Sequence, residues 1–130
     1  MNITPKYQEE KPAPEISLFC NTKYNTAAGK LSFIAKRSVD KIYTVVEHGV
    51  IITDKTGWDN YYENNKTAMI KGATRTRKSV AKGTANIGTY EAKLKAGKNE
   101  EWHGRSYVTY TDGYKTYTEY SEIVDYPVSK

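Results

Sequence analysis

The chain has 130 residues, 38% of them apolar, with 20 Lys and Arg against 15 Asp and Glu and a net charge of +5. That length builds one domain of ordinary size. The single cysteine, Cys20, excludes an intrachain disulfide, and no run approaches the ~18 apolar residues of a membrane-spanning helix. The modest basic excess aids solubility and does not by itself indicate nucleic acid.

Met1 to Tyr7 lacks the apolar stretch of a secretory signal. Residues 1–14 read as a leader or linker, because Gln8 to Pro14 is charged and punctuated by Pro12 and Pro14. The domain is expected over 15–130. Ile16, Leu18 and Cys20 alternate as a first strand, which makes Cys20 a small core residue. Asn21 to Gly29 reads as a loop. Leu31, Phe33 and Ala35 mark a second strand, followed by a turn at Ser38-Val39-Asp40. The β-branched run from Ile42 to Thr53 reads as a central strand, with Gly49 at a bulge or a close backbone approach.

Asp54 to Lys66 reads as an irregular connection, and a short strand is expected around Met69 and Ile70. Lys71 to Gly83 is an edge strand or exposed loop, and Thr84 to Lys95 alternates again. After a turn around Gly97 come two Tyr/Thr-rich runs on either side of Asp112-Gly113. Tyr and Thr suit a pleated, half-buried surface, and Asp-Gly suits a two-residue type I′ turn. The pattern predicts an all-β, antiparallel β-sandwich of about seven strands. A closed barrel is the alternative.

Several stretches resemble an immunoglobulin-like module of the fibronectin type III kind, in the variants found in surface proteins of Gram-positive bacteria and their phages. Val45 to Val50 resembles its third strand, Trp102 with Arg105 to Tyr110 its sixth, Thr111-Asp112-Gly113 the following turn, and Tyr117 to Ser121 the end of its last strand. The likeness covers about half the chain. It implies a non-enzymatic adhesion, spacer or assembly role and no particular ligand.

Three groups of residues could make contacts. Trp58, Tyr61 and Tyr62 stand in a polar connection and suit either a carbohydrate or protein contact or a loop folded back over the core. Strand parity turns Tyr107 and Thr109 outward. A two-residue turn would pair them with Thr118 and Thr116, with Tyr120 beside Arg105. That strip suits a partner surface or a stabilising cross-strand ladder. Lys71, Arg75, Arg77, Lys78 and Lys82 form a basic run for phosphates or an anionic wall polymer, or a guard on a sheet edge. Alternation would put Arg75 and Arg77 on one face. His48 and His103 have no partners at zinc-ligand spacing. No nucleophile motif or phosphate loop is present, so no catalytic residue, metal or cofactor is expected.

The expected role is a non-catalytic structural or interaction module of a bacterial cell-surface protein, at the cell surface as part of a larger chain. Its partners would be a protein or a cell-wall glycan, without specific nucleic acid or a membrane span. A phage virion component and a carbohydrate-binding module are the alternatives.

Overall fold

Period-two burial builds the first hairpin. Ile16, Leu18, Cys20, Thr22 and Tyr24 share the inner face of β1 (Ile16–Asn25), against the odd-numbered residues of β2 (Lys30–Val39). The computed structural model describes residues 15–127, so the expected leader, 1–14, lies outside the described residues. The first strand outlasts the sequence expectation. Asn21, Lys23 and Asn25 form its solvent row, and the loop shrinks to four residues, closed by Ala28 N–H donating to Asn25 Oδ1 at 3.1 Å. The second strand likewise runs through Ser38 and Val39, and the turn begins at Asp40.

The chain then forms β3 (Thr44–Asp54), β4 (Arg77–Val80), β5 (Ile87–Lys95), β6 (Trp102–Thr111), β7 (Thr116–Tyr120) and β8 (Val124–Tyr126). All pairings are antiparallel. One sheet has the order β1-β2-β5. The other has the order β4-β3-β6-β7, with β8 also on β6. The protein is therefore an all-β antiparallel sandwich, with eight strands among the described residues. β7 covers the Tyr107–Thr111 half of β6, and β8 covers Trp102 to Gly104. Ser121 bridges the gap: its Oγ accepts from Ser106 N–H at 2.9 Å, and its N–H donates to the Ser106 carbonyl at 3.0 Å.

Between the sheets lie two apolar groups. Leu31, Phe33, Val50, Ile52 and Trp102 fill one end, and Val39, Val45, Val108 and Tyr110 the other. Gly49 is a close approach. A Cβ there would stand 2.0 Å from the Ser79 carbonyl oxygen of β4. The bulge in β3 lies instead between Val45 and Glu47.

The strand expected around Met69 and Ile70 is absent. Lys66–Ala68 is a 3-10 turn, closed by Ala68 N–H to Asn65 O and Met69 N–H to Lys66 O, each at 3.1 Å. Local bonds satisfy this backbone while Met69 is drawn into a buried cluster, so no ladder is needed. The hairpin turn is also longer than expected. β6 ends at Thr111 and β7 starts at Thr116. Gly113 has φ +98°, while Asp112 keeps an ordinary φ and uses its carboxylate to accept from Tyr114 N–H at 2.8 Å and Lys115 N–H at 2.9 Å. The side chain supplies the turn that a left-handed Asp would otherwise have made.

Candidate binding furrow

The outer face of the second sheet is covered by the chain itself. Asp54, at the end of β3, clasps both ends of the covering segment. Its Oδ1 accepts from Gly57 N–H at 2.9 Å and caps a short helical turn, α1 (Lys55–Gly57), which runs into a π turn at Trp58–Tyr62. The same carboxylate takes the Arg75 guanidinium in two bonds of 2.9 and 2.8 Å. Arg75 holds the Asp54 carboxyl below its usual range. Thr53 Oγ1 donates to the Arg75 carbonyl at 2.9 Å, and the Tyr62 hydroxyl donates to the Thr74 carbonyl. Ile51, Trp58, Tyr62, Met69 and Tyr107 meet beneath this clasp as a second core, separate from the sandwich interior.

That core accounts for most of the aromatic residues the sequence points to. Trp58 is 8% exposed and Tyr62 is 2% exposed, so the folded-back reading holds for both; Tyr61, at 48%, faces solvent. Tyr107 does point away from the sandwich interior, as its parity requires, yet it is only 1% exposed. Its hydroxyl donates to Glu47 Oε2 at 2.6 Å, and the Lys71 ammonium lies 5.4 Å from its ring centroid. The four-residue turn shifts the expected pairing by one step on the same face. Thr109 pairs with Thr118 and Tyr107 with Tyr120, not with Thr116 and Thr118. Thr109 and Thr118 share a hydroxyl bond of 2.9 Å, and Tyr120 lies under the Arg105 guanidinium at 5.0 Å. The strip is a ladder roofed by the covering segment.

The basic run is largely spent inside the molecule. Arg75 has φ +59° and lies outside β4, so strand alternation does not align it with Arg77. Its charge belongs to Asp54. The Arg77 guanidinium stands 5.0 Å from the Trp102 ring centroid. Lys78 pairs with Glu47 at 2.9 Å, and Lys71 reaches Thr109 Oγ1 at 2.8 Å and Glu47 at 4.0 Å. The Tyr107 hydroxyl, ahead of Lys78 and Lys71, holds the Glu47 carboxyl below its ordinary range. Lys82 is exposed.

Beside Trp58 the surface opens into a furrow of about 590 Å³ between the π turn, the start of β6 and β8. Its lining includes Lys55, Asp59, Glu63, Lys66, Glu101, His103 and Asp125. A smaller hollow of about 320 Å³ continues it past Trp58 to Arg105 and Glu122. His103 is the centre. Its Nδ1 lies 2.7 Å from Asp125 and its Nε2 lies 2.5 Å from Glu101. Each ring nitrogen thus faces a carboxylate oxygen of the same chain. Lys55 extends the chain of charges, 2.7 Å from Asp59 and 3.9 Å from Glu101.

Spacing alone shows only that His103 lacks zinc-ligand partners, and this arrangement is not legible from it. Glu101 and His103 share a face by period two, which was a usable signal. Asp125 comes from β8, whose register opposite His103 only the fold provides. Among the described residues no group of three or more His, Cys, Asp or Glu is placed to hold a metal ion. Nor, among them, is any helix long and apolar enough to cross a membrane. Comparison of the chain with known protein families, curated proteins and solved structures finds no match to any of them.

Proposed function

We propose that this chain is a non-catalytic interaction module of a bacterial cell-surface protein, and that the furrow beside Trp58 is its contact site. One observation carries the reading: both nitrogens of the buried His103 are committed to carboxylates within the molecule. Such a ring turns neither nitrogen toward a substrate in the furrow, and it fixes Glu101 and Asp125 as a preformed polar wall. The fibronectin-like reading belongs to the same proposal. The stretches that carry the resemblance fall on β3, on β6, in the turn after it and on β7, and the order 1-2-5 facing 4-3-6-7 suits an immunoglobulin-like sandwich.

Among surface ligands the lining favours a glycan. Carboxylates, Asn64 and two lysines offer many donors and acceptors to a polyhydroxyl chain, and Trp58 supplies one wall. The test is cosedimentation with bacterial wall fragments stripped of phosphate polymers. Wild-type protein is expected in the pellet, and the Glu63→Gln/Asn64→Ala/Lys66→Gln variant in the supernatant. Equal pelleting of the two, or none by either, contradicts the contact site. Turnover of a glycoside that His103→Gln abolishes contradicts the non-catalytic reading.

A further inference from the structure

The other side of the sandwich carries a second feature. The outer face of the three-stranded sheet presents Lys23 on β1, Lys30 on β2 and Lys93 and Lys95 on β5. In the register, Lys30 stands directly opposite Lys95, and Lys23 and Lys93 flank Ser32 from either side. Like charges placed opposite one another across strands destabilise a sheet. Glu91 is the one carboxylate nearby on that face, one row further on and opposite Ile34. Among the described residues none of the four lysines forms an ion pair.

Lys23, Lys30, Lys93 and the Glu91 carboxylate surround a hollow of about 240 Å³, walled by Asn25 at the end of β1 and Ala28 in the β1–β2 turn. Its floor is Ser32, only 5% exposed, whose hydroxyl makes no hydrogen bond to another described residue. Lysines on β1 and β5 would serve to guard the two open edges of this sheet. That purpose does not reach Lys30 or Ser32, which lie on the central strand.

We infer that this hollow is a binding site for the phosphate groups of a phosphodiester polymer lying across the sheet. Ammonium groups bind phosphate as point charges, and a buried serine hydroxyl at the floor adds a neutral donor. The polymer is one without bases, of the poly(glycerol phosphate) type. Single-stranded nucleic acid is held by aromatic platforms as well as by charge. The aromatic side chain on this face, Phe19, lies two register rows from Ser32, with the Lys36 ammonium 6.0 Å from its centroid.

The test is a binding titration of the full chain with poly(glycerol phosphate), an oligodeoxythymidine of equal phosphate count and polyglutamate. Each is run at several salt concentrations. The polymer is expected to bind with an affinity that falls as salt rises. Lys30→Gln/Lys93→Gln is expected to lose about tenfold, and Lys41→Gln/Lys115→Gln, which carries the same charge change at the far end, under about twofold. Equal losses in the two double variants would reduce the effect to net charge and overturn the site. Polyglutamate binding as well as the polymer would overturn phosphate recognition, and oligodeoxythymidine binding as tightly would overturn the base-free assignment. Absence of binding by the wild type at low salt would overturn the site. All four side chains are exposed, so circular dichroism and melting of the variants are expected to match wild type.

Discussion

The Trp58 indole lies flat on the His103 imidazole, with ring centroids 4.0 Å apart and planes 9° from parallel. That stack joins the segment covering the second sheet to the first rung of β6. It makes one wall of the furrow and one edge of the second core at once. A change at Trp58 therefore reports on both fold and site.

Trp58→Ala is expected to cost about 3–5 kcal/mol of unfolding free energy, in the range for a buried aromatic. Tyr61→Ala, three residues on and exposed, is expected to cost about 0.5 kcal/mol or less. Urea denaturation of the two variants checks the contrast. Equal losses would place the two side chains in equivalent surroundings.

Gly104 faces the Phe33 ring across the sandwich. A Cβ on Gly104 would stand 2.7 Å from one ring carbon of Phe33 and 3.0 Å from Ile52 Cγ2. Gly104→Ala is expected to destabilise by about 1–3 kcal/mol through overpacking. Adding Phe33→Leu should return part of that loss, because the facing ring is the obstacle. A double-variant cycle in urea measures the coupling.

Stability is expected to fall at both ends of the pH range. Glu47 and Asp54 have folded carboxyl pKa values below their ordinary ones. Their contribution is complete above the unfolded carboxylate range and is lost as pH falls through the folded values. Burial, ahead of Glu119, raises the Tyr110 hydroxyl to about 12, and burial with the Glu47 bond pushes Tyr107 up as well. Their contribution is complete below the unfolded tyrosine value of 10.0 and is lost as pH rises above it. Melting temperature measured against pH should show both limbs, and Glu47→Gln should flatten the acid one.

Cys20 lies in the sandwich core, and burial raises its thiol to about 12. The thiolate is the reactive form. Alkylation of the native chain at neutral pH is therefore expected to be slow and to follow global opening, while the chain in denaturant reacts at the rate of a free thiol. A mass-resolved time course distinguishes the two, and fast labelling of native protein would place Cys20 at the surface.

What the sequence made legible follows period two. Ile16-Leu18-Cys20, Leu31-Phe33-Ala35 and the β6–β7 ribbon declare their faces by alternation, and the antiparallel sandwich follows from them. Residues 55–76 have no such period. Trp58, Tyr62 and Met69 are spaced neither as a strand nor as a helix, because a clasp on Asp54 sets their positions. Tyr107 shows the limit most clearly. Parity places it on the outer face, but only the covering segment, distant in sequence, decides that the face is buried. The basic run misleads for the same reason: Arg75 and Lys78 look free in one dimension, and their carboxylates stand on β3. The furrow needs β8 beside β6, a pairing that no local signal in Val124 to Tyr126 announces.

The burial of Trp58 beneath the segment it belongs to is the claim on which the second core and the furrow both depend. The chain has two tryptophans, and the Trp102 indole N–H is buried without a hydrogen-bond partner among the described residues, so Trp102→Phe removes an unpaired donor and leaves one fluorophore. In that variant the Trp58 emission is expected to be blue-shifted and poorly quenched by acrylamide until the chain unfolds. Native emission and quenching equal to those of free tryptophan would contradict it.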